Sequence, residues 1–177
     1  MYRFFTASLF ALWLALMASA AAVAGIPASY SPVVIQPAGV PARHEFDLSG
    51  VLQRARRENK RLYVYLGARD CPYCRQYEAF LDQNARELEP HFSARYIVVD
   101  LRSALSVTSR LLYLRIGDRA LSYTDFQRAI GDERAHTLVY PSVWLFDYDG
   151  KPLMQMPAGT GTFLTVPEQL EILRLEQ

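Results

Sequence analysis

The only two cysteines of this chain stand two residues apart, in Cys71-Pro72-Tyr73-Cys74, directly after the apolar run Arg61-Leu-Tyr-Val-Tyr-Leu-Gly67. The run reads as a buried strand, and apolar residues recur at helical spacing after it. Both thiols therefore fall in the turn where a strand hands over to a helix. There they can pass between dithiol and disulfide without unfolding the chain, and the unpaired N–H groups of the first helical turn stabilise a thiolate. Pro72 stiffens that turn and removes one backbone donor. Tyr73, inside the turn, is expected to be exposed and to touch substrate.

Other uses of such a pair fit less well. A CxxC can be half a zinc site, but zinc normally takes four ligands, and there is no second cysteine pair. His44, His91 and His136 have no ligand-like spacing to Cys71 and read as surface or hydrogen-bonded structural residues. A c-type haem would need His directly after Cys74, where Arg75 stands. A purely structural bridge is a poor reading, because closing so small a loop restrains the unfolded chain little. No phosphate-cradling glycine loop and no catalytic pairing of acids is evident. The expectation is a protein with no metal and no cofactor beyond the redox-active Cys71–Cys74 disulfide itself. A formal charge of +1 gives no sign of a nucleic-acid partner or an anionic membrane surface.

The N-terminus has a different character. Met1-Tyr-Arg3 is a short basic start, Phe4 to Met17 is apolar, and Ala18-Ser19-Ala20 and Ala22-Val23-Ala24 are small-x-small sites. This is the layout of a secretory signal peptide over residues 1–24, cut after Ala20 or Ala24. The uncharged stretch from Phe4 to Ile26 also exceeds the roughly 20 residues that span a bilayer, so an uncleaved anchor is the alternative. Its Ala-rich second half favours cleavage. Export predicts a periplasmic or secreted domain, in a compartment where a disulfide persists.

Gly25 to Arg43 carries Pro27, Pro32, Pro37 and Pro41 and predicts an extended linker, residues 25–43. A single domain, 44–177, follows. Asp47 can cap a helix with Leu48, Val51, Leu52 and Ala55 on one face. Asp70 stands at an N-cap position before a helix that opens at Cys71, carries Tyr77, Phe80, Leu81 and Leu88, and stops at Pro90. Arg95 to Leu101 reads as a second strand. Between Arg102 and Val139 one helix is clear, opened by Ser122 and Asp125, stapled by Leu121 and Phe126, and ended by Gly131. Val143 to Asp147 and Pro152 to Met156 form a hairpin, and a last helix starts at Thr165-Val-Pro-Glu168 with Leu170 and Leu173 facing inward. This order is that of an α/β sandwich.

The order of elements and the CxxC placement resemble the thioredoxin fold, a central mixed β-sheet with helices on both faces. The pieces that carry the likeness are Leu62 to Cys74, with its CPYC motif, and Tyr140-Pro141-Ser-Val-Trp-Leu-Phe-Asp147 followed by Asp149-Gly150-Lys151. The chain is most similar to exported thioredoxin-like proteins such as those that accompany sulfur-oxidation systems. The CPYC motif is shared with glutaredoxins. The resemblance implies that Cys71 is the nucleophile, Cys74 the resolving thiol, and Pro141 a cis-proline facing them, with backbone at Tyr140 and Pro141 pairing with substrate. It also implies protein or small-molecule disulfides as substrates and a membrane-bound or soluble thiol–disulfide electron donor as partner. Two positions depart from the family: Tyr65 replaces a buried Asp that assists proton transfer, leaving a water or a group such as Glu78 to serve, and the bulky Tyr140 precedes the proline. Alternatives are a thioredoxin-fold binding module with little redox turnover, and a glutathione-linked, glutaredoxin-like reductase.

Overall fold

A computed structural model describes residues 25–131, 137–156 and 165–174. The leader at residues 1–24 and His136 lie outside the described residues. In chain order the elements are β1 (Val33–Ile35), β2 (His44–Asp47), α1 (Ser49–Glu58), β3 (Arg61–Ala68), α2 (Pro72–Gln83), α3 (Ala85–Arg95), β4 (Tyr96–Ser103), β5 (Leu112–Ile116), β6 (Arg119–Ser122), α4 (Tyr123–Ala129), β7 (Ser142–Phe146), β8 (Pro152–Met156) and α5 (Val166–Arg174). The central sheet has the order β1-β4-β3-β7-β8. Strands β1, β4 and β3 run parallel, while β7 and β8 are antiparallel additions.

Strand β3 is buried on both faces, which is why it reads as one continuous apolar run. Leu62, Val64 and Leu66 point into a core with Val51, Leu52 and Ala55 of α1 and Phe126 of α4. Tyr63 and Tyr65 point the other way, among Tyr77 and Leu81 of α2, Leu88 and Phe92 of α3, and Leu173 of α5. Helices thus cover both faces of a mixed sheet, as the resemblance implies. The α1 face and the α4 cap are as expected: Ser122 Oγ accepts the N–H of Asp125 at 3.2 Å, and Gly131 takes φ 77° just after the helix.

Several expectations are corrected. Leu48, not Asp47, is the N-cap of α1, although Asp47 Oδ1 accepts the N–H of Ser49 at 2.8 Å. The helix after Cys71 breaks at Asn84 rather than at Pro90. The Asn84 amide donates to the Phe80 carbonyl at 2.7 Å and competes with the backbone there. Pro90, exposed, lies inside α3 and removes one helical hydrogen bond. The segment between Arg102 and Val139 holds an additional hairpin: β5 pairs with β6, and β2 pairs parallel with β5, making a second sheet of order β2-β5-β6.

Residues 25–43, read as a linker, lie against the domain. Ile26 and Tyr30 are buried, Tyr30 packs edge-on against Phe92 with ring centres 5.0 Å apart, and its hydroxyl donates to the Leu81 carbonyl at 2.9 Å. Val33 to Ile35 pair with Val99 to Leu101. Only Val33 to Ile35 of this segment is extended, with Ala28 to Tyr30 forming a 3-10 turn, and a short strand flanked by prolines belongs at a sheet edge. Among the described residues no helix is long and apolar enough to cross a membrane.

Candidate active site

Strand β3 ends at Ala68, and α2 begins at Pro72, which suits the first helical position because its missing N–H would be unpaired there anyway. Cys71 is consequently the N-cap, and Asp70, expected in that role, instead accepts the N–H of Leu105 at 2.9 Å. The Cys71 sulfur accepts the backbone N–H of Cys74 at 3.1 Å. Cys71 and Cys74 are joined as a disulfide, with Cα atoms 5.2 Å apart. The N–H of Ala68 points at the Cys74 sulfur at 3.5 Å. Two N–H groups thus face the two sulfurs, the arrangement that favours negative charge on sulfur when the bridge opens.

Cys71 is only 2% exposed and Cys74 is fully buried, while Tyr73 is 50% exposed and Pro72 also faces outward. Leu105, tied to the turn through Asp70, is 48% exposed. Its position beside the turn is not legible in the sequence, because it depends on that long-range hydrogen bond. Strand β7 starts with Ser142 opposite Leu66, so Pro141 stands just beyond, at the same end of the sheet as Ala68 and the cysteines. The Tyr140–Pro141 peptide bond is cis. Tyr140 is buried in the cluster that holds both cysteines, and its hydroxyl shares a 2.9 Å hydrogen bond with Ser103 Oγ. Burial pushes the Tyr140 phenol up to about 12.

Behind the pair lies a buried polar cluster. Tyr65 donates to Glu78 Oε1 at 2.9 Å, and Arg75 holds Glu78 Oε2 at 2.9 Å while its other nitrogen donates to the Ala68 carbonyl at 3.3 Å. Asp100 is fully buried and bound to Arg102 at 3.0 Å. Burial raises both carboxyls above their ordinary values, against the opposing pull of Arg75 on Glu78 and Arg102 on Asp100. Asp100 was not singled out from the sequence. Its signal was a lone acid inside the run Tyr96-Ile-Val-Val-Asp100-Leu101. His44 lies on β2 and His91 is exposed on α3, neither near the cysteines in sequence or element. Among the described residues no three His, Cys, Asp or Glu side chains come together as a possible metal ligand set.

Fold and site define a thioredoxin-type protein, with a CxxC pair at a strand-to-helix turn that supports thiol–disulfide oxidoreductase chemistry in general. The chain belongs to the thioredoxin-like domain family, whose pattern matches residues 48–163. No curated protein sequence matches it. Among solved structures it is similar to a thioredoxin-fold protein from Helicobacter pylori, with 19% identity, covering 64% of this chain and 70% of that one, at a TM-score of 0.40. A poplar thioredoxin h shares 15% identity over 72% of this chain and 85% of its own, at a TM-score of 0.39. The exposed lipoprotein thioredoxin of Streptococcus pneumoniae shares 16% identity over 70% and 89%, also at 0.39.

Proposed function

We propose that the protein is an exported thiol–disulfide oxidoreductase that reduces disulfides of proteins or small molecules, recharged by a membrane-bound or soluble thiol–disulfide donor. The observation that carries this reading is the Cys71 sulfur at the helix N-cap, accepting the N–H of Cys74. The signal-peptide layout of residues 1–24 supports export.

In the reducing direction the Cys71 thiolate attacks one sulfur of the substrate disulfide. A Cys71–substrate bond forms, the substrate S–S bond breaks, and the departing sulfur leaves as thiolate and takes a proton. Cys74 then loses its proton and attacks the Cys71 sulfur, closing the internal bridge and releasing the second substrate thiol. Two electrons pass from the protein to the substrate, and the donor returns them. Tyr73, Pro72 and the backbone at Tyr140 and Pro141 form the surface on which substrate would lie.

The test is catalysed reduction of insulin by the full chain. Cys71→Ala is expected to abolish it, and Cys74→Ala to accumulate mixed disulfides with clients. Partner binding retained unchanged in Cys71→Ala, with no turnover in the parent, would make the protein a binding module instead. In a glutathione series, a potential near or below about −250 mV supports the reductant, whereas one above roughly −150 mV would reverse the direction.

A further inference from the structure

The cluster behind the redox pair touches the start of the described chain. The Ile26 N–H donates to Asp100 Oδ2 at 3.2 Å, and the Gly25 backbone lies close enough to the Glu78 carboxylate to favour its ionised form. Gly25 has φ +138°, and a Cβ there would fall 2.2 Å from Asp100 Oδ2 and 2.7 Å from an Arg102 nitrogen. No side chain fits at this position. Gly25, Tyr65, Gly67, Glu78, Asp100 and Arg102 line a cavity about the size of one water molecule. Asp100 Oδ2 is taken by Ile26 and Arg102, but the equally buried Oδ1 has no partner.

We infer that the Ala24–Gly25 bond is cut and that the freed α-ammonium of Gly25 occupies this cavity, pairing with the carboxylates of Asp100 and Glu78. The bond follows the triplet Ala22-Val23-Ala24, one of the two small-x-small sites of the leader. An endopeptidase with that preference adds one water across the amide. Ala24 leaves as a carboxylate, and the Gly25 nitrogen becomes a protonated amine. An amide nitrogen has a single N–H and cannot serve both carboxylates, whereas an ammonium has three. Asp100 Oδ1 is the acceptor left without a donor.

Two guanidiniums already face the two carboxylates, so the new cation takes the one acceptor they leave, Asp100 Oδ1. Arg75 and Tyr65 bind the two oxygens of Glu78, Arg102 binds Asp100, and Arg69 lines the cavity but is exposed. Burial disfavours ionisation of both carboxyls, and an adjacent ammonium acts in the opposite direction. A cut after Ala20 would leave an amide at Gly25 and Asp100 Oδ1 still unpaired, so the geometry chooses between the two candidate sites. The N-terminal segment becomes latched by charge beneath the turn that carries Cys71 and Cys74.

This inference rests on the export reading, and one experiment separates the two. The full chain is produced with its leader in an exporting host, and the product is weighed intact. Its α-amine is then reductively methylated near neutral pH, folded and in urea, with exposed Lys151 as internal reference. The expected product begins at Gly25, and its α-amine reacts at least about ten-fold more slowly folded than unfolded, because ion pairing holds the proton. Asp100→Asn and Glu78→Gln should each raise the folded rate. If either variant does not fold, the folded-against-urea comparison on the unaltered chain decides alone. An uncut chain retained in the cytosol would overturn the export reading and this inference together, whereas an uncut chain held at the outer face of the membrane would overturn this inference alone, the leader then serving as an anchor. A product beginning at Ala21, or a Gly25 amine as reactive folded as unfolded, would overturn this inference and leave export standing.

Discussion

Tyr140 shows how a single side chain can serve packing and position at once. Its ring is buried beside both cysteines and its hydroxyl is fixed by Ser103, so a molecule lying over Pro141 would meet the Tyr140 backbone and not its phenol. Because the folded phenol titrates near 12 and an unfolded one near its ordinary value of 10.0, folding favours the protonated form. The stability from this group is fully present below pH 10 and is lost as pH rises towards 12. Tyr140→Phe is therefore expected to cost about 0.5–1.5 kcal/mol at neutral pH, one hydrogen bond's worth, and to lose less stability than the parent between neutral and strongly alkaline pH. Urea unfolding at both conditions measures this; equal losses in the two proteins would contradict it. The Cys71 thiol carries a second residue-scale prediction. In the reduced protein its alkylation should show an inflection at least about one unit below the ~8.5 of a free cysteine, and an inflection at the free value would remove the role assigned to the helix N-terminus.

At the scale of elements, the turn between β7 and β8 is held by backbone that only glycine adopts easily. Gly150 has φ +82°, and a Cβ there would press on Leu52 of α1 and Ile116 of β5 at 3.2 Å. Gly150→Ala is expected to cost about 1–3 kcal/mol, from the strained φ and the contact together, read as a fall in the urea midpoint with an unchanged slope. This hairpin was legible in the sequence because its signals are local: Asp149-Gly150 between two apolar runs. So were β3, α4 with its Ser122 cap, and the CxxC turn. The break at Asn84 was not, since Pro90 is the louder breaker and only the Asn84 amide on the Phe80 carbonyl reveals where the helix ends. Strand β1 was hidden for another reason. Three residues among prolines carry no strand pattern of their own, and they are extended because Val99 to Leu101, far along the chain, supply the partners. The polar cluster was half legible: Glu78 was a candidate, but Asp100 and Gly25 gain meaning only when β4 brings them together.

For the whole molecule, the N-terminal segment is part of what holds the domain together, although the family pattern begins only at residue 48. Tyr30, buried against Phe92 and bonded to the Leu81 carbonyl, bridges the two helices α2 and α3 from outside the family region. Tyr30→Ala is expected to cost about 3 kcal/mol or more, the usual loss for a buried aromatic ring, measured by equilibrium unfolding of the full chain. A loss near zero would return residues 25–43 to the role of a tether. The placement of β1 also bears on how copies of the protein treat one another. It closes one margin of the central sheet with only three residues, between Pro32 and Pro37, and Pro152 heads β8 at the opposite margin. Proline presents no N–H, and a short margin offers few bonds to a neighbour. Edge-to-edge recruitment of a second chain therefore starts from a poor template at either side of the central sheet, so the face of the turn that exposes Tyr73 stays uncovered by copies pairing through the sheet.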